Sequence, residues 1–294
     1  MRVLITGAQG QVGQALVLCA PAHWQVQGLA SSELDITDAA QVTATVQMLQ
    51  PQLIINSAAY TAVDKAETDS ARAHAVNHIG AANLAKAAHS LACPLLHIST
   101  DYVFSGDHSR PYTEQDTPAP NSVYGLSKWL GEQAIHTYCP QHIILRTSWV
   151  FGLHGNNFVK TMLRLSREHD VLNIVNDQVG APTSAQSLAQ ALWQIAWHYQ
   201  KNGSCTWGTY HLSGSPACNW YIFAQEIFAQ AFELKLIQRC PVLNPISSEQ
   251  HPTAAQRPSY SVLDNKKIQQ QFNILQNNWK TELSLMLQAF KDAQ

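Results

Sequence analysis

The sequence predicts an α/β fold with a doubly wound parallel sheet and a smaller C-terminal domain. Short apolar runs alternate with helical stretches through the first half of the 294 residues, and a glycine-rich turn directly follows the first run. Strands that alternate with helices of about ten or more residues form βαβ units. Their right-handed crossovers build a parallel sheet with helices on both faces.

The predicted elements follow one another in regular order. The strands cover residues 3–6, 26–29, 53–56, 95–99 and 143–146, and the helices between them cover 11–19, 38–50, 67–91 and 122–138. Gly7 ends the first strand, Asp38 opens the second helix and Pro51 closes it. Asn121 and Ser122 give the helix at 122–138 a start of the kind that caps free N–H groups.

Beyond residue 150 the alternation is less regular. Helices are predicted at 158–167, 187–199 and 221–232, and a strand at 210–213. The stretch 241–258 carries four prolines and is predicted to be a loop. We therefore expect one domain over residues 1–150 and mainly a second one over 151–294, with some later elements returning to the first sheet.

Composition and charge exclude several classes of function. With 18 Lys and Arg against 20 Asp and Glu, the net charge is −2, which gives no general attraction for nucleic acid or anionic membrane. No stretch approaches the roughly 18 apolar residues of a membrane helix, and no signal peptide is recognised. The six cysteines contain no Cys-x-x-Cys pair, so free thiols in the cytoplasm are expected.

A glycine-rich turn joins the first strand to the first helix. Gly7, Gly10 and Gly13 are spaced G-x-x-G-x-x-G, with Gln11 and Val12 at the helix start. Such glycines allow a tight turn and let the backbone approach a pyrophosphate closely. The helix N-terminus adds unpaired N–H groups and the positive end of its dipole. The first domain is therefore predicted to bind a dinucleotide as Rossmann domains do.

The residues after the second strand bear on which dinucleotide binds. Ala30, Ser31 and Ser32 stand where a carboxylate would bind the ribose 2′-hydroxyl of NAD, with Glu33 and Asp35 close by in sequence. Without a carboxylate there is less to repel a 2′-phosphate, and the serine hydroxyls can hydrogen-bond it. The sequence favours NADPH, with NADH as the alternative.

Tyr124 and Lys128 are spaced i, i+4 on the helix predicted at 122–138 and so share one face. A free tyrosine has a pKa of about 10, and a nearby cation lowers it by stabilising the phenolate. Such a tyrosine can donate a proton to a carbonyl oxygen while hydride reaches the carbon. Thr100, at the carboxyl end of the fourth strand, is the expected hydroxyl partner of the substrate oxygen, with Ser99 as the alternative.

These features resemble the extended short-chain dehydrogenase/reductases, and several strings resemble the dTDP-4-dehydrorhamnose reductase family within them. The resemblance runs from residue 2 to about residue 267. The strings are NSAAYTAVDKAE at 56–67, VNHIGAANL at 76–84, STDYVFSG at 99–106, RTSWVFG at 146–152, VNDQVGAPT at 175–183 and RPSYSVLD at 257–264.

The resemblance implies roles for individual residues. Tyr124 would be the proton donor, while Lys128 would orient the nicotinamide ribose and lower the pKa of the tyrosine. Thr100, Asp101 and Trp149 would contact the sugar. Together with the glycine turn and the serine after the second strand, the residues assigned to the cofactor are Gly7, Gly10, Gln11, Val12, Gly13, Ser31, Asp35, Ile36, Ala59, Tyr60, Thr61, Tyr124 and Lys128.

The implied reaction is reduction of the 4-keto group of dTDP-6-deoxy-L-lyxo-4-hexulose to dTDP-L-rhamnose, the last step in making this activated sugar for surface polysaccharides. The substrate would be a nucleotide sugar. Some members carry a Glu that contributes to a Mg²⁺-linked dimer contact, but Ala15 stands here. No metal ligand is therefore assigned, Mg²⁺ has no support from the residues, and a monomer or weak homodimer is expected.

Two alternatives use the same fold. A nucleotide-sugar epimerase or dehydratase would share the Tyr–Lys pair, but dehydratases generally need an acidic pair beside the threonine, and here Thr100 is followed by Asp101 and Tyr102. A non-catalytic regulatory subunit resembling the β subunit of methionine adenosyltransferase would not require the threonine, tyrosine and lysine together.

Overall fold

A central sheet of six parallel strands organises the protein. The computed structural model describes residues 1–293. The strands in chain order are β1 (Arg2–Thr6), β2 (Gln25–Leu29), β3 (Leu53–Asn56), β4 (Leu95–Thr100), β5 (His142–Thr147), β6 (Val150–Phe151), β7 (Val171–Val175), β8 (Val179–Gly180), β9 (Thr183–Ser184), β10 (Gly208–His211), β11 (Cys218–Asn219) and β12 (Val242–Ile246). The central sheet has the order β10-β5-β4-β3-β1-β2.

The helices pack on both faces of this sheet. In chain order they are α1 (Gln11–Leu18), α2 (Ala39–Leu49), α3 (Val63–Ala66), α4 (Ser70–His74), α5 (Ala81–Ser90), α6 (Val123–Tyr138), α7 (Phe158–Glu168), α8 (Ala185–Asn202), α9 (Trp220–Glu233), α10 (Lys266–Phe272) and α11 (Trp279–Asp292). One apolar core joins α1 and α8 to the sheet, and a second joins α2, α5 and α6 to its other face. The predicted doubly wound fold is confirmed.

Two helix starts follow directly from their capping residues. The Asp38 carboxylate accepts hydrogen bonds from the backbone N–H groups of Ala40 and Gln41, at 2.9 and 3.0 Å. The Ser122 hydroxyl accepts from the N–H of Gly125 at 3.1 Å, so α6 begins where the sequence predicted. The start of α6 matters for function because it sets the direction in which Tyr124 and Lys128 point.

The single helix predicted over 67–91 is wrong in detail. The chain forms α4, then a π-helical segment Ala75–Gly80, then α5. Within the π-helical segment the buried Asn77 side chain bonds the backbone N–H and C=O of Tyr60, at 2.8 and 3.0 Å, and the Ser127 hydroxyl at 2.9 Å. These contacts come from distant parts of the chain, which helical periodicity does not report.

The later half contains elements that the sequence pattern did not reveal. The predicted loop 241–258 includes β12, which pairs in parallel with β7. Pro245 is tolerated because this strand lies at the edge of a two-stranded sheet. The C-terminal helix α11 was also missed, and it buries Trp279 and Leu283 in a third apolar core with α7 and α9.

Strand β10 pairs with β5 and α8 packs against α1, so part of the later half belongs to the central sheet and its helices. Among residues 1–293, the structure has no helix of the length and apolarity needed to cross a membrane.

Candidate active site

A cavity of about 550 Å³ lies at the carboxyl ends of the central strands, beside the start of α1. The strand order reverses direction between β1 and β3, and open α/β sheets bind ligands at such a switch point. The cavity brings together ten of the residues predicted for the site, namely Gly10, Gln11, Val12, Ala59, Thr61, Thr100, Asp101, Tyr124, Lys128 and Trp149.

The glycine turn leaves room for a dinucleotide pyrophosphate. Gly10 caps α1 without any side-chain hydrogen bond to the first turn, so these N–H groups are free to bind an anion. A Cβ placed on Gly10 would have only the Gly7 carbonyl oxygen within 4 Å, at 3.2 Å. Gly10 thus borders open space in the cavity, as close approach of a phosphate requires.

Gly7 and Gly13 pack closely against backbone on the side of the turn away from the cavity, and neither lines it. Gly7 has φ +70°, a conformation that favours glycine, and a Cβ there would lie 2.5 Å from the Ala58 nitrogen. A Cβ on Gly13 would lie 2.1 Å from the Gly7 carbonyl oxygen. Both glycines therefore allow the tight packing on which the position of Gly10 depends.

Besides Gly7 and Gly13, four predicted cofactor residues lie outside the cavity lining. Ser31 and Asp35 are exposed after β2, where the Asp35 carboxylate accepts from Thr37. Ile36 is buried under Gly80. The Tyr60 hydroxyl donates to Asp69 at 3.1 Å, although its neighbours Ala59 and Thr61 line the cavity.

The end of β2 carries a carboxylate after all. Glu33 folds back so that its Oε2 accepts a hydrogen bond from the backbone N–H of Ala30, at 2.8 Å. The sequence placed no acid at this strand end, and the structure corrects that expectation with a residue three positions later. A tight turn, in which the Glu33 and Leu34 N–H groups donate to the Ala30 carbonyl, brings the carboxylate back.

Thr100, Tyr124 and Lys128 meet at the end of β4. The backbone N–H of Tyr102 donates to the Thr100 hydroxyl at 3.2 Å, and that hydroxyl donates to Asp101 at 3.1 Å. Lys128 is buried, and its Nζ donates to the Ile98 carbonyl at 2.7 Å. Ser99, the alternative hydroxyl, instead donates to the buried Glu132 at 2.5 Å. Thr100 is thus the better-placed hydroxyl.

The expected lowering of the tyrosine pKa is wrong. Burial raises the pKa of Tyr124 to about 12, and a hydrogen bond with Thr100 only partly opposes this effect. Burial also lowers the pKa of Lys128 to about 8, with the nearby Glu132 acting in the opposite direction. The i, i+4 spacing predicted that the two side chains share one helix face. It did not predict their loss of contact with water, which is the largest contribution to both pKa shifts.

Aromatic side chains form one wall of the cavity. Trp149 has φ +47° and stacks on Trp220, with ring centroids 3.6 Å apart and planes at 8°. Tyr102 packs edge-on against Tyr124 at 5.6 Å. Tyr102 and Trp220 line the cavity but were not predicted. Tyr102 could have been found as the neighbour of Asp101, whereas Trp220 comes from a separate helix and has no local signal.

Asp101 is 2% exposed, and its Oδ2 atom has no hydrogen-bond partner within the protein. Burial raises the pKa of this carboxyl to about 6. Among residues 1–293, no group of three or more His, Cys, Asp or Glu side chains is arranged to hold a metal ion.

An ion pair connects the segment that contains Arg257 to α3, beside the cavity. Arg257 pairs with Asp64 of α3 at 2.7 Å, although the two residues are 193 positions apart. Both side chains are partly exposed, so the pair contributes about 1 kcal/mol or less to stability. Arg257 is therefore engaged with a carboxylate near the cavity rather than free at the surface.

Comparison with known proteins identifies the family. A family model described as the RmlD substrate binding domain matches residues 1–292. The dTDP-4-dehydrorhamnose reductase of Aggregatibacter actinomycetemcomitans is 45% identical over 96% of this chain and 97% of its own. The Escherichia coli K12 protein of that name is 38% identical over 98% of this chain and 97% of its own. The chain belongs to the dTDP-4-dehydrorhamnose reductase family.

Solved members of the dTDP-4-dehydrorhamnose reductase family share the whole architecture. The Clostridium acetobutylicum structure superposes with a TM-score of 0.92 at 37% identity, covering 99% of this chain and all of that one. The Bacillus anthracis reductase, solved in complex with NADP, gives a TM-score of 0.90 at 37% identity over 98% and 99% of the two chains. The resemblance found in the sequence is confirmed.

Proposed function

We propose that this reductase-family member uses NADPH to reduce the 4-keto group of dTDP-6-deoxy-L-lyxo-4-hexulose to dTDP-L-rhamnose. The observation that carries the proposal is that Thr100, Tyr124 and Lys128 line one cavity with the first turn of α1. Relatives that bear the reductase name match nearly the full chain, and one solved relative contains NADP.

The cofactor would lie along the carboxyl edge of the sheet. The free N–H groups at the start of α1 would bind the pyrophosphate, Ala59 and Thr61 would lie beside it, and Lys128 would hold the nicotinamide ribose. When bound, the reduced nicotinamide supplies hydride to the carbonyl carbon of the sugar.

The protein's own groups act on the carbonyl oxygen. The Tyr124 hydroxyl donates its proton to this oxygen as negative charge develops there. The Thr100 hydroxyl donates a hydrogen bond to the same oxygen. Because burial raises the pKa of Tyr124 to about 12, its side chain stays protonated at neutral pH, as a proton donor must. The proton that Tyr124 donates is therefore in place before the substrate arrives.

The remaining cavity residues would select the sugar. The unpartnered Oδ2 of Asp101 offers an acceptor for a sugar hydroxyl, and Trp149 offers an apolar surface to the sugar ring. We assign cofactor binding to residues 1–150 together with α8 and β10, and sugar binding mainly to the rest of 151–294. The partner is thus a nucleotide sugar, and the six free cysteines agree with a cytoplasmic site of action.

The test is to follow oxidation of NADPH with the 4-keto sugar nucleotide and to identify the product. We expect stoichiometric consumption of NADPH and formation of dTDP-L-rhamnose. Binding of NADPH without its consumption, or conversion of the sugar without net oxidation of the cofactor, would instead support the regulatory-subunit or the epimerase alternative.

A further inference from the structure

The two tryptophans in the wall of the cavity are held by contacts that the proposed chemistry does not use. Trp149 has φ +47°, a conformation that costs energy for a bulky residue and persists only where the surroundings hold it. Its ring stacks on that of Trp220, and both residues line the cavity. The orientation of the Trp149 ring therefore depends on how Trp220 is held.

The backbone around Trp149 fixes its position but does not orient its ring. The backbone N–H of Thr183 donates to the Trp149 carbonyl at 3.3 Å, and the next residue, Val150, pairs with Thr183. Gly180 leaves space for the ring, because a Cβ there would lie 2.5 Å from Cε2 of Trp149. A glycine makes room for the ring but cannot direct it, so the ring is oriented by its stacking on Trp220.

Trp220 is held at both its backbone and its ring. It is the first residue of α9, and Asn219 caps this helix by accepting a hydrogen bond from the N–H of Ile222 at 2.8 Å. The indole Nε1–H of Trp220 donates to Oε1 of Gln178 at 3.2 Å. The cap fixes where the helix begins, whereas the bond to Gln178 fixes the rotation of the ring.

The Gln178 amide has only one orientation that matches its neighbours. An indole nitrogen can only donate, so the amide atom beside Trp220 is the oxygen. The Gln178 Nε2 group then donates to the Ser248 hydroxyl oxygen at 2.9 Å, and that hydroxyl donates to Oδ1 of Asp177 at 2.6 Å. Gln178 is 9% exposed, and a flipped amide would set its NH₂ group against the indole N–H, which is costly away from water.

We propose that Gln178 is a positioning residue that orients Trp149 through the ring of Trp220. Gln178 lies between β7 and β8, Trp220 begins α9, and Ser248 follows β12, so three segments distant in sequence meet here. Gln178 does not itself line the cavity and therefore acts only through the two rings.

The consequence for the substrate rests on the proposed function, in which Trp149 offers an apolar surface to the sugar ring. An aromatic wall selects a sugar only if its face is held in one orientation before the ligand arrives. Loss of the Gln178 contact should therefore weaken binding of the sugar nucleotide, while the groups that act on the carbonyl oxygen stay in place.

The first measurement is NMR of the indole N–H groups in the full chain without cofactor or substrate. The chain has eight tryptophans, and the Trp149 and Trp220 signals are assigned through Trp149→Phe and Trp220→Phe. We expect the Trp220 N–H to exchange with water at least about tenfold more slowly than that of Trp197, which is 43% exposed. Equal exchange rates for these two groups would overturn the proposal.

The second measurement compares two substitutions of Gln178. Gln178→Met keeps the length of the side chain but removes the acceptor, so the Trp149 indole signal should move. The KM for the sugar nucleotide should rise at least about fivefold, with kcat and the Kd for NADPH within about twofold of wild type. Gln178→Glu keeps an acceptor for the indole N–H and should return the Trp149 signal towards its wild-type position.

Gln230→Met is the matched control, because it removes amide hydrogen bonds elsewhere on α9 and should leave the Trp149 signal and the KM unchanged. An unmoved Trp149 signal in folded Gln178→Met, or the same displacement in Gln178→Glu, would also overturn the proposal. If Gln178→Met does not fold, the exchange rate of the wild-type Trp220 N–H decides the matter.

The NMR signals are recorded without cofactor or substrate, so they separate this inference from the proposed function. Absence of reductase activity in a wild-type chain with the expected signals would contradict only the proposed reaction. An active Gln178→Met protein with a displaced Trp149 signal and an unchanged KM would contradict only the inferred effect on the sugar.

Discussion

Tyr124 illustrates how burial changes the chemistry of a single residue. The side chain is 9% exposed and its pKa is raised to about 12, because the phenolate would lose its hydration in this position. At neutral pH the Tyr124 side chain therefore carries its proton, which is the state that reduction of the keto sugar requires.

Removing the Tyr124 hydroxyl should affect chemistry rather than binding. We expect Tyr124→Phe to lower kcat by at least about 10²-fold while the Kd for NADPH changes little, since the lost group acts on the carbonyl oxygen. Stopped-flow oxidation of NADPH gives the rate, and cofactor fluorescence gives the Kd. Tyr102→Phe, in the neighbouring ring, is the matched control, and near-normal turnover of Tyr124→Phe would remove Tyr124 from this role.

Glu33 should influence the choice of cofactor. Its carboxylate bonds to Ala30 at the end of β2, where a ribose 2′-group is expected, and a 2′-phosphate would be repelled there. Glu33→Gln keeps an acceptor for the Ala30 N–H but removes the charge. We expect the ratio of kcat/KM for NADPH over NADH to rise about fivefold, as about 1 kcal/mol of repulsion predicts. Glu168→Gln, on the remote helix α7, should leave this ratio unchanged, and an unchanged ratio in Glu33→Gln would place the 2′-group elsewhere.

At the scale of an element, two glycines of the β1–α1 turn have different roles. Gly13 packs against the turn itself, while Gly10 borders the cavity, although both belong to one repeated spacing. The same substitution should therefore have different consequences at the two positions.

Gly10→Ala should impair cofactor binding and Gly13→Ala should impair folding. At Gly10 the added Cβ enters the cavity, so we expect NADPH affinity to fall at least about tenfold with a stability change within about 1 kcal/mol. At Gly13 the Cβ would lie 2.1 Å from the Gly7 carbonyl, and a loss of about 1–3 kcal/mol or more is expected. Urea unfolding and cofactor titration separate the two effects, and equal effects of both variants would contradict this account of the turn.

At the scale of the whole molecule, buried histidines link stability to pH. Burial lowers the pKa of His211 to about 3, with Arg146 adding to the effect. The unfolded chain releases this histidine to its ordinary value of 6.5 and so binds more protons between about pH 3 and 6.5. Stability therefore falls as the pH is lowered through this window. Asp101, whose pKa is raised to about 6, acts in the opposite direction below that pH.

His211→Asn should reduce the acid sensitivity of the fold. Nδ1 of His211 bonds the Tyr112 carbonyl at 3.1 Å, and an asparagine amide can replace this donor. Between about pH 4 and 6 the slope of unfolding free energy with pH should become smaller by about one proton. Urea unfolding at several pH values measures this slope, with the exposed His89→Asn as control. The same slope in His211→Asn and wild type would show that His211 titrates normally in the folded protein.

The alternation of apolar runs and helices, the spacing of Gly7, Gly10 and Gly13, and the Tyr124–Lys128 pair were enough to predict the sheet and the centre of the cavity. These are local features, because a helix turn or a strand–turn–helix junction is decided by residues close in sequence. The motifs shared with the reductase family extended this prediction to the substrate.

Tertiary structure alone decided which distant residues meet and which groups lose water. Trp220 stacks on Trp149, and the Glu33 carboxylate returns to the Ala30 N–H, through contacts that no local pattern encodes. The pKa shifts of Tyr124 and Lys128 follow from burial, and burial is a property of the packed molecule. The sequence by itself therefore determined the fold class and the position of the chemistry, whereas packing determined the pKa values of the groups that perform it, because desolvation depends on every neighbour at once.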